Sequence, residues 1–350
     1  MVDRWIVLGV ATLISVPGAV TAQTTADTTG GDSATVRQIL AVQDRYPAWS
    51  PGGDRIVFDS DRTGTKQIFI GDVAAGAPVQ LTHSDAMDRT PVFSPDGEWI
   101  AFQSLRDGVP AIFVMRPDGS GLRKVTHPPD PPPTGDPPAD DSHPRWAPDG
   151  ESIVFNRNVE QGNAEVFEIR VDGTGLRRLT DWPDHDTYPS ISPDGRHLLW
   201  RRITLEGGES ESGRNSEIFI ADRDGSNARN LTNHPAFDGY PVWLPSGEGI
   251  VFASNRDGEA RLDFNIYVMR PDGSDVTRLT ELMPGVRQAR PSVSPDGRRL
   301  VFNRDSPHDG TEGTAELIIK DFGRPIAELL GGADRSASTT PRAHPRHGQP

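Results

Sequence analysis

Residues 90–102 read TPVFSPDGEWIAF, and the fold turns on how that stretch is read. Pro95-Asp96-Gly97 is turn chemistry: proline presets φ for the second turn position, aspartate bonds the local backbone, and glycine takes the φ > 0 corner. Strand-forming runs flank it, Val92-Phe93 before and Ile100-Ala101-Phe102 after. The stretch is therefore a tight hairpin joining two strands. The same pattern opens at Pro47 (YPAWSPGG), Pro91 (TPVFSPDG), Pro144 (HPRWAPDG), Pro189 (YPSISPDG), Pro241 (YPVWLPSG) and Pro291 (RPSVSPDG). Successive openings are 44, 53, 45, 52 and 50 residues apart, and every copy has a second proline four residues after the first. A repeat this regular is the primary architectural signal.

Each copy has the same internal order. A short strand leads into the Pro-Asp-Gly turn, and a second strand follows: IVF at Ile56, IAF at Ile100, IVF at Ile153, LLW at Leu198, IVF at Ile250 and LVF at Leu300. Such apolar runs suit strands buried on both faces. A third strand follows (QIFIGD, AIFVMR, EVFEIR, EIFIAD, NIYVMR, ELIIKD), and in copies one to five a fourth ends in Leu-Thr or Val-Thr. Four antiparallel strands per ~45 residues make a propeller blade. The expected fold is all-β, a six-bladed β-propeller with little helix. Copy six runs out after Phe322, so its last strand must come from residues 36–40 (VRQIL) or 325–330 (PIAELL), with a slight preference for the first.

The chain has 350 residues, 36 Lys+Arg against 50 Asp+Glu, a net charge of −14, and no cysteine. Such a balance disfavours nucleic acid as a partner, since phosphate binding needs a basic surface. Without cysteine there is no disulfide framework, thiolate metal site or cysteine nucleophile. Residues 1–22 have a basic start at Arg4, an apolar run from Trp5 to about Val16, and a small-residue end at Ala22, which reads as a secretory signal peptide. Residues 23–34 and 331–350 have almost no apolar content and are expected to be a disordered lead-in and tail, leaving 35–330 for the propeller. The protein is expected to be periplasmic or secreted, with no membrane insertion after cleavage. Longer loops at residues 128–138, 206–216 and 306–314 interrupt the repeat.

The block P-x-W-S-P-D-G-x-x-I-x-F-x-S-x-R-x-G, followed by I-Y/F-V-M, D-G-S and L-T, resembles the WD-like β-propeller repeat of TolB, the periplasmic partner of the Tol–Pal envelope system. The clearest matches are TPVFSPDGEWIAFQSLRDG from Thr90, YPVWLPSGEGIVFASNRDG from Tyr240 and IYVMRPDGS from Ile266. The resemblance spans residues 36 to 330 and implies the fold. It does not single out a function, because similar repeats occur in the gating propellers of prolyl-oligopeptidase-type peptidases and in a metal-dependent oligogalacturonate lyase. TolB proper has a further α/β domain before its propeller, whereas only about 13 residues separate the expected cleavage point from the first strand. A peptidase would need a catalytic domain, and no G-x-S-x-G elbow occurs.

One polar position recurs. Three residues before each opening proline stand Asp44, Asp88, Asp141, Asp186 and Asp238, with Gln288 in copy six. In a propeller the chain there enters its innermost strand, so the six are expected to ring one mouth of the central channel. Each aspartate either caps its own turn or joins a focused negative potential suited to a cation or a basic peptide segment. The arginines divide unevenly: Arg62, Arg106 and Arg256 sit in the hairpin after the second strand, and Arg157, Arg202 and Arg304 sit inside it. No His-x-x-x-His or H-E-x-x-H pair is present, and the D-G turns, including Asp222 and Asp224, are read as hairpins rather than calcium loops. The expected function is binding of a protein or peptide without catalysis or cofactor. The alternative is a metal-dependent, oligogalacturonate-lyase-like enzyme acting on a sugar acid at the channel mouth.

Overall fold

A computed structural model describes residues 4–7 and 43–330, apart from 75, 130–138, 160–162, 184, 204–214, 261 and 306–313. The strands assort into six separate four-stranded antiparallel sheets. In the first, Asp44–Trp49, Arg55–Ser60, Gln67–Asp72 and Val79–Gln80 lie side by side in chain order. Four more sheets repeat this order outward from Asp88–Phe93, Asp141–Trp146, His185–Ile191 and Asp238–Trp243. The sixth contains Arg287–Val293, Arg299–Asp305 and Ala315–Asp321. The six-bladed propeller expected from the repeat is the observed architecture.

The repeated turn works through its serine as well as its proline. In the second blade, the Gly97 N–H donates to Ser94 O at 2.9 Å, the Trp99 N–H to Ser94 Oγ at 2.9 Å, and the Glu98 N–H to Asp96 Oδ1 at 3.0 Å. Gly97 sits at φ +74°, where a side chain is strained. Beyond the turn, second and third strands pair aromatic residues across the ladder: Phe58 with Phe69, Phe102 with Phe113, Phe155 with Phe167, Trp200 with Phe219 and Phe252 with Tyr267.

The core lies between blades. Val57 and Ile68 of blade one pack with Ile100, Phe102 and Phe113 of blade two. Ile56, Phe58 and Phe69 on the other face pack with Val301, Leu317 and Ile319 of blade six, which joins the last blade to the first. Each such side chain contributes roughly 1.5–3 kcal/mol. Polar links cross the same joint: Trp49 Nε1 donates to Ser292 O at 3.1 Å, and Arg299 Nη2 to Gly53 O at 2.9 Å.

The closing strand differs from expectation. Arg4–Val7 takes the fourth place of blade six, antiparallel to Ala315–Asp321, with Arg4 opposite Asp321 and Val7 opposite Ile318. Of the two segments proposed for that place, 325–330 is instead a 3-10 turn, Ile326–Leu329. Pro325 has no N–H for a ladder, and Ile326, fully buried, donates its N–H to Gly297 O at 2.8 Å. Residues 36–40 lie outside the described residues, as do the lead-in, the tail and most of the three long loops.

Candidate binding site in the central channel

Every innermost strand carries the same irregularity. In blade one, Asp44 pairs with Ser60 and Arg45 with Asp59, after which the register shifts and Ala48 pairs with Val57. Tyr46 and Pro47 thus face a single residue, a β-bulge. A bulge is where a strand tolerates proline, because the extra residue makes no ladder bond. Corresponding shifts occur in all six blades. The residue before the proline is left-handed each time: Tyr46, Thr90, His143, Tyr188, Tyr240 and Arg290 have φ between 52° and 55°. For residues other than glycine this conformation costs roughly 1–2 kcal/mol each.

The six residues marked by the sequence stand two positions earlier than these. Asp44, Asp88, Asp141, Asp186, Asp238 and Gln288 are all buried. Arg62 donates from Nη2 to both oxygens of Asp44 at 2.8 Å, and Arg106 and Arg256 do the same to Asp88 and Asp238. Arg157 and Arg202, rooted in the second strand, reach Asp141 and Asp186 with Nε and Nη2 in a fork of 2.6–2.8 Å. The uneven placement of the arginines therefore gives two routes to one contact. Each of these guanidiniums also lies over its blade's aromatic pair, Arg62 at 5.4 Å from the Phe58 centroid and 4.8 Å from Phe69. In blade six Gln288 offers no charge: it donates to Asn265 Oδ1 and Glu281 O, and Arg304 turns to Glu316 at 2.8 Å. Burial pushes the carboxyls of Asp44 and Asp238 up and that of Asp186 to about 6, against the pull of their arginines.

The cavity at the channel centre is lined by Tyr46, His143, Arg145, Tyr188, Tyr240 and Arg290, with Pro189, Pro241 and Pro291. None of the six residues read from the sequence lines it. The rings interlock: the His143 and Tyr188 centroids are 4.0 Å apart, those of Tyr188 and Tyr240 4.7 Å, and the Tyr46 and Tyr188 hydroxyls 3.3 Å. Arg201 lies 4.7 Å over Tyr188 and 5.4 Å over Phe237. Gly239 makes room for it, since a Cβ there would stand 2.9 Å from Arg201 Cδ. Burial, reinforced by Arg201, Arg145 and Arg89, holds His143 well below the ordinary imidazole range, so it is neutral at pH 7.

Three of these side chains were visible as Tyr-Pro pairs in the repeat, but the sequence does not show that the bulge turns them to the channel. The D-G turn carboxylates serve their own loops, as Asp224 Oδ1 accepts the Ser226 N–H at 3.0 Å. Among the described residues no three His, Cys, Asp or Glu groups converge to hold a metal ion. Within the same residues no helix is long and apolar enough to cross a membrane.

Six bulged inner strands around an aromatic and basic channel define a β-propeller of the TolB type. The profile of the Tricorn protease N-terminal beta propeller domain matches residues 70–282, more than half of the chain, and the chain belongs to that family. It is 31% identical over 167 residues to an uncharacterized protein of Agrobacterium fabrum, covering 46% of this chain and 54% of that one. It is 27% identical over 204 residues to the Tol-Pal system protein TolB of Francisella tularensis (58% and 42%), and 27% over 159 residues to the uncharacterized peptidase YuxL of Bacillus subtilis (36% and 24%). The chain thus spans between a quarter and about half of these relatives' length. Among solved structures, TolB from Acinetobacter baumannii superposes with a TM-score of 0.55 at 21% identity, covering 71% of this chain and 56% of that one. An oligogalacturonate lyase in complex with manganese gives 0.53 at 14%, covering 80% and 90%. Both likenesses concern the fold.

Proposed function

We propose that the protein is an exported binding propeller that holds a segment of a protein or peptide partner at its channel and performs no chemistry itself. The observation that carries this is the convergence of Tyr46, His143, Tyr188, Tyr240 and Arg290, from five blades, on one opening. Tyrosine and arginine are the residue types that dominate binding hot spots. Their backbones hold a strained conformation, and strain of this kind clusters at ligand sites. The buried aspartates stand two residues ahead of the bulges, each held by an arginine of its own blade. The TolB likeness supports a place in the cell envelope, as does the leader-like composition of residues 1–22.

The test is capture from a native envelope fraction on immobilised protein. The wild type should retain a discrete partner that Tyr188→Ala, still folded by circular dichroism, does not. Equal capture by both would overturn the proposal.

A further inference from the structure

We propose that the channel centre is an anion site that takes a single carboxylate group, held by Arg145 and Arg290. This rests on the binding reading above and gives its ligand a chemical class.

The first observation is charge. The chain carries a net −14, yet the cavity is lined by two arginines, three tyrosines, a histidine and three prolines, with no carboxylate. Acidic partners outside the lining compensate it poorly. Asp305 stands 3.6 Å from Arg290 and 3.8 Å from Arg45, beyond hydrogen-bond distance for a good pair and shared between two cations. Arg145 has no ion pair among the described residues, and its Nη1 donates to the carbonyl of the adjacent Pro144 at 3.2 Å.

The second observation is unused donors. The Arg290 side chain is only 9% exposed, and its buried Nε and Nη1 make no hydrogen bond. A buried guanidinium with idle N–H groups is costly unless an anion completes it. No acceptor of the lining, the carbonyls of Pro189, Pro241 and Pro291 included, pairs with Nε or Nη1 of Arg290, so completion falls to a ligand or to water.

The third observation is size. The cavity has a volume of about 20 Å³, room for one or two water-sized groups. That is room for a small planar head such as a carboxylate, with the remainder of its molecule outside the cavity. Guanidinium groups match a planar carboxylate better than any other common anion of that size. The rest of the ligand would extend along the channel, past the phenol rings.

The test is thermal unfolding and calorimetric titration at constant ionic strength with sodium formate, sodium chloride and neutral acetamide. Formate should raise the unfolding temperature saturably, and chloride and acetamide should not. In Arg145→Gln the formate affinity should fall at least about tenfold, as expected for loss of one charge-assisted contact. A tripeptide with a free C-terminal carboxylate, its C-terminal amide, and galacturonate then separate the sources: the account predicts binding of the free-acid peptide over the other two. Equal responses to formate, chloride and acetamide in the wild type overturn the proposal, whether or not Arg145→Gln folds. Should formate fail while a partner is still captured and is lost in Tyr188→Ala, the carboxylate assignment falls and the binding reading stands. Formate binding with no captured partner gives the opposite result.

Discussion

Arg290 holds its guanidinium carbon 4.6 Å from the ring centroid of Tyr46, across the joint where the last blade meets the first. Burial alone would make the Tyr46 phenol harder to ionise. The positive charge of Arg290 overrides this and, with the Tyr188 hydroxyl, brings Tyr46 below the ordinary phenol range. Tyr188, buried beside two other phenols, is pushed well above it. A spectrophotometric titration should therefore show one tyrosine ionising ahead of the rest, and Arg290→Gln should remove that early step. An unchanged first step in the variant would separate the two residues.

Asp59 gives a pH signature. It is fully buried, accepts the Thr90 N–H at 3.0 Å, and has its carboxyl pushed up to about 6, mainly by burial. The folded state thus binds the proton more tightly than the unfolded chain, whose value is near 3.8. The stabilisation this provides is complete below pH ~4 and is lost as pH rises through ~6. Blade six shows the neutral solution: Asn303 Oδ1 accepts the Tyr46 N–H at 3.2 Å, and its Nδ2 donates to Asp44 O. Asp59→Asn should accordingly stabilise the protein at pH 8 by about 2–3 kcal/mol relative to wild type, and by much less at pH 4. Urea unfolding at both pH values measures this, and a variant destabilised equally at each would refute it.

The Asp186–Arg202 pair is the more buried form of the repeated ion pair, with side chains 0% and 8% exposed, against 12% and 25% for Asp44–Arg62. Removing one partner of a buried pair costs about 3–5 kcal/mol. Arg202→Met, which leaves the Asp186 carboxylate buried without its partner, should fall in that range and Arg62→Met below it, and Arg202→Met combined with Asp186→Asn should recover part of the loss. Chemical denaturation of the three variants decides; equal losses for the two single variants would count against burial as the cause.

Most of the architecture was legible because it rests on local chemistry. The Pro-Asp-Gly turn is written in three letters, and the strands around it are short apolar runs, so six copies could be counted without coordinates. The site was less legible. The aspartate three residues before each proline stands out as a letter, but its partner lies 16 or 18 positions later, at Arg202 or Arg62, and only the register joins them. The pre-proline residues vary in identity, being Tyr, Thr, His, Tyr, Tyr and Arg. What they share is a backbone angle, which no alignment of letters displays. The closing strand escaped for a related reason: residues 325–330 look like a strand by composition, while Pro325 and the buried Ile326 make a turn.

Ring closure makes a further prediction. Arg4–Val7 occupies the outer place of blade six and also belongs to the stretch read as an export leader. On cleavage after Ala22 the place must pass to another strand, and residues 36–40 are the expected occupant. A chain beginning at Gln23 should keep a cooperative thermal transition, and one beginning at Gln43 should unfold at a distinctly lower temperature. N-terminal sequencing of the protein recovered from cells tests whether the cut is made, and equal stability of the two shortened chains would exclude 36–40 from the ring.

Asp44 and Tyr46 lie two residues apart on one strand, the first held by Arg62 and the second lining the channel. The affinity of the captured partner for Asp44→Asn and for Tyr46→Ala, each verified as folded, is the most direct measurement of where binding occurs. The account predicts a loss of about tenfold or more for Tyr46→Ala, and a change within about twofold for Asp44→Asn. The reverse order would return the site to the aspartate ring and contradict it.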